Sequence, residues 1–106
     1  MYRCNVLYGK PEDPSAFDDY YRDVHIPIAS QMHGLGGWNL TWIDSQDGEL
    51  ETSIYLVADL CATDRQSMDG ILASPEGQAA AADVTNFATG GVTFIFGDEE
   101  TVPLHE

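Results

Sequence analysis

Basic residues are scarce. The 106 residues include four Lys and Arg against 18 Asp and Glu, a net charge of −14. A surface of that sign repels a phosphate backbone, which argues against nucleic acid as a partner, and an anionic membrane surface is disfavoured for the same reason. Cysteine is scarce too. Cys4 and Cys61 lie far apart, fit no Cys-x-x-Cys spacing and read as buried free thiols of a cytoplasmic protein. No basic, apolar N-terminal stretch resembles a signal peptide, and no apolar run approaches the ~20 residues of a membrane span. Glycine-rich nucleotide loops, a Ser-x-Gly elbow and a usefully spaced Cys/His pair are all missing. His25, His33 and His105 follow no ligand motif, so neither a metal nor a cofactor is expected.

What remains is a chain of one domain's length, with 43% hydrophobic residues to build a core. Residues 1–98 are read as that domain. Residues 99–106 continue an acidic stretch, "GDEETVPLHE", as a solvated tail. The run "YRCNVLYG" alternates Cys4, Val6 and Tyr8 against Arg3, Asn5 and Leu7, a first strand. Asp13 followed by Pro14 predicts a capped helix start. Phe17, Tyr21, Val24, His25 and Ile28 then share about 100° of helical arc. "GWNLTWID" and "ETSIYLVADL" read as a hairpin around Asp47-Gly48. Two further helical pieces follow, one with Thr63 and Gln66 as a capping box, the other capped by Ser74 with Pro75 behind it. The small face of the second, Ala80 and Ala81, sits beside Val84 and Phe87, and "GGVTFIFG" supplies the last strand.

The order β-α-β-β-α-β is the α+β, ferredoxin-like pattern: a four-stranded antiparallel sheet with helices on one face. The other face needs cover. Leu7, Ile43, Ile54, Leu56 and Ile95 are expected on one side, and Val6, Leu40, Val57 and Phe94 on the other. A bare apolar sheet face of this kind predicts a homodimer, sheet against sheet, closed into a barrel.

His25 is the candidate for chemistry. Imidazole exchanges protons near neutral pH, and Tyr21, one turn earlier on the same face, is placed to orient it or to donate to a substrate oxygen. The plainer alternative is a core histidine bonded to a backbone carbonyl. Pro27 lacks an N–H and disfavours helical geometry at Ile26, so the helix is expected to kink or stop around His25, beside unpaired carbonyls. Such a place favours imidazolium, whereas burial favours the neutral ring. Tyr8, Phe17, Trp38, Tyr55, Phe87 and Phe94, with Tyr21, are candidates for the wall of a pocket for a small apolar or aromatic ligand, with core packing as the plainer role for each.

Several segments together resemble the signature of the EthD family, named for ethyl tert-butyl ether degradation. They are the strand ending Val6-Leu7-Tyr8, then Lys10-Pro11, Phe17, the Tyr20-Tyr21 pair and His25-x-Pro27. "HGLGGW" is similar to that family's Pro-Gly-Leu turn, with His33 in place of proline, and "SPEGQAAAADVTNFATGGVTFIFG" to its second helix and last strand. The resemblance covers residues 2 to 97. It implies a dimeric α/β barrel, a setting shared by isomerases, cyclases, cofactor-free monooxygenases and haem-handling enzymes, and a link to oxidoreductase pathways of xenobiotic degradation. The expected function is therefore proton-transfer catalysis of the isomerase, cyclase or cofactor-free oxygenase type, with His25 and Tyr21 as catalytic residues. The alternative is a non-catalytic ligand binder or accessory protein of an oxygenase pathway.

Overall fold

The computed structural model describes residues 1–105. Strand β1 (Tyr2–Gly9) leads into helix α1 (Pro14–Tyr20), a π-helical segment (Tyr21–His25) and helix α2 (Ile26–Ala29). Strands β2 (Gly37–Trp42) and β3 (Ile54–Ala62) follow, then α3 (Arg65–Ala73), α4 (Pro75–Val84) and β4 (Val92–Asp98). The strands form one antiparallel sheet in the order β2-β3-β1-β4, with helices on one face, an α+β ferredoxin-like fold.

Side-chain alternation decides which residues meet the helices. Tyr2, Cys4, Val6 and Tyr8 of β1 lie opposite Ala62, Leu60, Ala58 and Leu56 of β3, and all eight are buried. Trp38, Leu40 and Trp42 join them from β2. The open face carries Leu7, Val57 and Ile95 among Arg3, Asn5, Asn39, Thr41 and Asp59. Leu56 and Val57 thus exchange the places expected from sequence. The register slips between Tyr8 and Gly9, where Gly9 pairs with Ile54, so β3 carries an extra residue, Tyr55. A bulge of this kind turns every following side chain over. The open face is consequently more polar than expected, and Arg3 bridges Asp59 and Glu99 across it.

Two local expectations change as well. Residues 43–53, not a two-residue turn, separate β2 from β3, although Gly48 does take the left-handed conformation, φ 134°. Asp64, not Thr63, caps α3, accepting the Ser67 amide at 2.8 Å. The longer carboxylate one residue on competes successfully for the same job. Asp13 and Ser74 cap their helices as expected, accepting from the Ala16 and Gly77 amides at 3.1 Å each.

The largest departure is at Pro27. The first helix neither stops nor leaves helical geometry there. Ile26, directly before the proline, stays α-helical (φ −57°, ψ −47°) and its amide donates to the Tyr21 carbonyl five residues back. The chain widens into a π turn and then resumes as α2, with Pro27 in the first turn, where its missing N–H matters least. The widening also has a packing consequence. Phe17, Tyr21, His25 and Ala29 recur every four residues, and all are buried. At about 100° per residue a four-residue step drifts by ~40° in an α-helix. The wider π turn offsets that drift, keeping His25 over the sheet and leaving Val24 exposed.

Candidate functional site

The core over the sheet is an aromatic cluster. Tyr8 is edge-on to Phe17 and Tyr21, and Phe87 packs against Tyr8, Phe17, Tyr20 and Tyr21, with centroids 5.3–5.6 Å apart. His25 completes it, 4.7 Å from Phe87 and 5.0 Å from Tyr21. Contacts of this kind fix the imidazole plane without any polar partner.

The polar partner is Asp83 on α4. Its Oδ2 lies 2.9 Å from His25 Nδ1, and both side chains are almost wholly enclosed, at 4% exposure for His25 and 6% for Asp83. Oδ1 of Asp83 accepts from the Tyr20 hydroxyl at 2.7 Å and from Asn86 Nδ2 at 3.0 Å. Both carboxylate oxygens are therefore engaged. Burial raises the Asp83 pKa, but the hydrogen bonds from Tyr20, Asn86 and His25 together outweigh it, and the group sits below its ordinary value. Burial holds the His25 pKa below its ordinary value, against the opposing pull of Asp83. The pair at neutral pH is a carboxylate and a neutral imidazole. Asp83 accepts, so the proton belongs on Nδ1 and the lone pair on Nε2.

Sequence reasoning passed over Asp83. Its signal is a carboxylate on the buried face of a small-residue helix: Gly77, Ala80, Asp83, Val84 and Phe87 follow helical spacing and all are buried. An acid among such residues must have a partner, and Tyr20 and His25 were the candidates within reach of the fold.

His25 borders a cavity of about 50 Å3 between the first helix, α4 and the sheet. Tyr8, Tyr21, Trp38 and Phe94 also line it, together with Cys4, Ala80 and other apolar groups. Phe94, 43% exposed on the edge strand, stands at its rim. Of the expected wall residues, Phe17, Phe87 and Tyr55 do not line it. Phe17 and Phe87 fill the core behind it, and Tyr55 stacks edge-on to Phe17 and donates to Asp18 at 2.7 Å. Burial of the Cys4 thiol, reinforced by Asp59, pushes its pKa up to about 11, so it remains a thiol.

Two of the lining residues carry a buried polar atom with no partner. The Tyr21 hydroxyl and the Trp38 indole N–H are both buried and unpaired. Each unmet group costs roughly 1–3 kcal/mol. Burial raises the Tyr21 pKa far above its ordinary value. The neighbouring Trp38 N–H and Tyr8 hydroxyl oppose the rise, but neither completes a hydrogen bond with it, and the phenol stays protonated. Neutral imidazole, phenol and indole therefore border one apolar space.

Comparison with known proteins places the chain. The EthD domain matches residues 10–91. This chain belongs to the EthD domain family. An uncharacterized 11.0 kDa protein in the thcB–thcC intergenic region of Rhodococcus erythropolis is 45% identical over 102 residues, 96% of this EthD protein and 98% of the relative. The crystal structure of an EthD family protein from Bacillus halodurans superposes with a TM-score of 0.85 at 31% identity, covering 94% of this chain and 99% of that one. A dimeric ferredoxin-like protein of unknown function from Jannaschia shares the fold alone, with a TM-score of 0.64 at 18% identity over 93% of this chain and all of its own. Among the described residues no helix is long and apolar enough to cross a membrane, and no group of three or more His, Cys, Asp or Glu is placed to hold a metal ion.

Proposed function

We propose that this EthD protein is a homodimeric enzyme of small-molecule degradation that moves a proton within its substrate. His25 Nε2 is the acid/base and Asp83 its positioning partner. Tyr21 supplies a hydrogen bond to the substrate, with Trp38, Tyr8 and Phe94 as pocket wall. The observation that carries this reading is the 2.9 Å contact between His25 Nδ1 and Asp83 Oδ2. It commits one ring nitrogen to a fixed carboxylate and leaves the other, basic nitrogen for a ligand. A histidine that served packing alone could be satisfied by a backbone carbonyl and would need no carboxylate held by two further hydrogen bonds behind it. Dimer formation is supported by the open sheet face and by β4, where Phe94, Ile95 and Phe96 are all more than 40% exposed. The Jannaschia structure, described as dimeric, supports it by fold.

The test pairs His25→Ala and Asp83→Asn with the parent protein. Native mass spectrometry identifies any ligand that co-purifies, and its conversion is then followed. Loss of conversion in His25→Ala with ligand still bound is expected. Full conversion by His25→Ala removes the catalytic role. Ligand retention with no conversion by the parent protein favours the carrier reading instead.

A further inference from the structure

We infer that the cavity takes the uncharged carbonyl end of a ligand, and not a carboxylate, a phosphate or an amine. The inference rests on the proton-transfer reading of His25 and adds the substrate class.

Charge comes first. Among the described residues no Lys or Arg borders the cavity. Each of the chain's four basic residues is elsewhere: Arg3 on the open face with Asp59 and Glu99, Arg22 over the Trp42 ring at 4.6 Å, Arg65 beside Asp69, and Lys10 exposed at the far end of β1. An anionic head would enter with no counterion, close to the Asp83 carboxylate and in a chain of net charge −14. A cationic head fares no better. Asp83 is shielded by the imidazole, and its two oxygens already accept from Tyr20, Asn86 and His25.

Hydrogen bonding then selects among neutral groups. Tyr21 Oη and Trp38 Nε1 are buried and unpaired, and both residues line the cavity. The indole can only donate, and the protonated phenol donates as well. A carbonyl oxygen has two lone pairs and satisfies both. An alkene offers neither donor an acceptor, and although an alcohol or ether oxygen also has two lone pairs, only a carbonyl acidifies the neighbouring C–H that His25 takes in the proton-transfer reading. Size agrees: an apolar cavity of ~150 Å3 holds benzene, so about 50 Å3 accommodates a carbonyl and its neighbouring carbon, with the remainder of the molecule leaving past Phe94.

The chemistry that follows is enolisation. The lone pair of His25 Nε2 takes a proton from the carbon next to the carbonyl. The C–H electron pair becomes the C=C bond, and the carbonyl π pair moves to oxygen, where Tyr21 and Trp38 donate to the developing enolate. Delivery of the Nε2 proton to the enolate oxygen gives the enol isomer, and its delivery to carbon after Nε2–H has exchanged with water gives hydrogen exchange, with no oxidant consumed.

The test uses the full chain and three size-matched probes: 2-butanone, propionate and butylammonium. Nitrogen-15 spectra follow the Trp38 indole N–H during titration, and a parallel sample in D2O follows deuterium entering the butanone carbons next to the carbonyl. Butanone is expected to shift the indole signal saturably and the charged probes to leave it unmoved. Tyr21→Phe should weaken butanone about three- to tenfold, and His25→Ala should keep butanone binding while losing the deuterium exchange. A saturable indole shift with propionate or butylammonium, or none with butanone, overturns the carbonyl assignment. Butanone binding with no exchange by the parent protein leaves the ligand class standing and removes the proton-transfer reading.

Discussion

Asp83 has two oxygens and three donors facing them, so removing the carboxylate strands more than one partner. Asp83→Ala should cost about 3–5 kcal/mol, at roughly 1–3 kcal/mol for each donor left without its acceptor, measured by urea unfolding. Asp83→Asn keeps the shape but supplies an NH2 where an acceptor stood, which reverses the tautomer His25 must adopt. Long-range nitrogen-15 spectra of the imidazole should show Nδ1–H in the parent and Nε2–H in Asp83→Asn. The pair also sets a pH dependence. Folded His25 titrates below the unfolded histidine, whose pKa is about 6.5. As pH falls through that interval the unfolded chain binds the proton first, so stability falls with it. Asp83, also held below its ordinary value, extends the loss at lower pH. Thermal midpoints at pH 7.5 and 5.5 should show this decline, and His25→Gln should reduce it over the upper part of the range.

Among the elements, α3 and α4 meet at a tight joint. Ser74 ends one helix and caps the next, and Gly77 lies against the end of α3 so closely that a Cβ there would sit 2.2 Å from the Ile71 carbonyl oxygen. Gly77→Ala should therefore destabilise the protein by about 1–3 kcal/mol in spite of alanine's better helix propensity, as followed by chemical denaturation. This joint was half legible in the sequence. "SPEG" announced the cap and the restart, but nothing local to it announced the close approach. The first helix taught a similar lesson. Its caps and its Phe17–Tyr21–His25 stripe could be read, because capping and periodicity are local properties. The effect of Pro27 could not. Sequence rules weigh a proline against an α-helix alone, whereas the chain found a wider turn that satisfies both the ring and the packing of His25. Asp83 escaped for a third reason: it is polar on an apolar face, and such residues declare themselves only when two elements are brought together.

At the scale of the molecule, the sheet has one face filled and one face mixed. Leu7, Val57 and Ile95 on the open side are interrupted by Arg3, Asn5 and Asp59, and the exposed apolar surface concentrates on β4. An interface built there is sensitive to charge. Ile95→Lys should shift the proposed dimer to monomer in analytical ultracentrifugation while leaving the far-ultraviolet circular dichroism unchanged. With a net charge of −14 on each copy, raising the salt should tighten the proposed dimer.

Strand β1 precedes the other three strands of the sheet, and it pairs on one side with β3 and on the other with β4, the last of the four. During synthesis it therefore waits. Its second edge has no template until residues 92–98 have left the ribosome. Until then Tyr2, Cys4, Val6 and Tyr8 lie on a strand with one bare flank. A nascent chain stalled before β4 should remain open to proteases and to pairing with other chains until that strand is available.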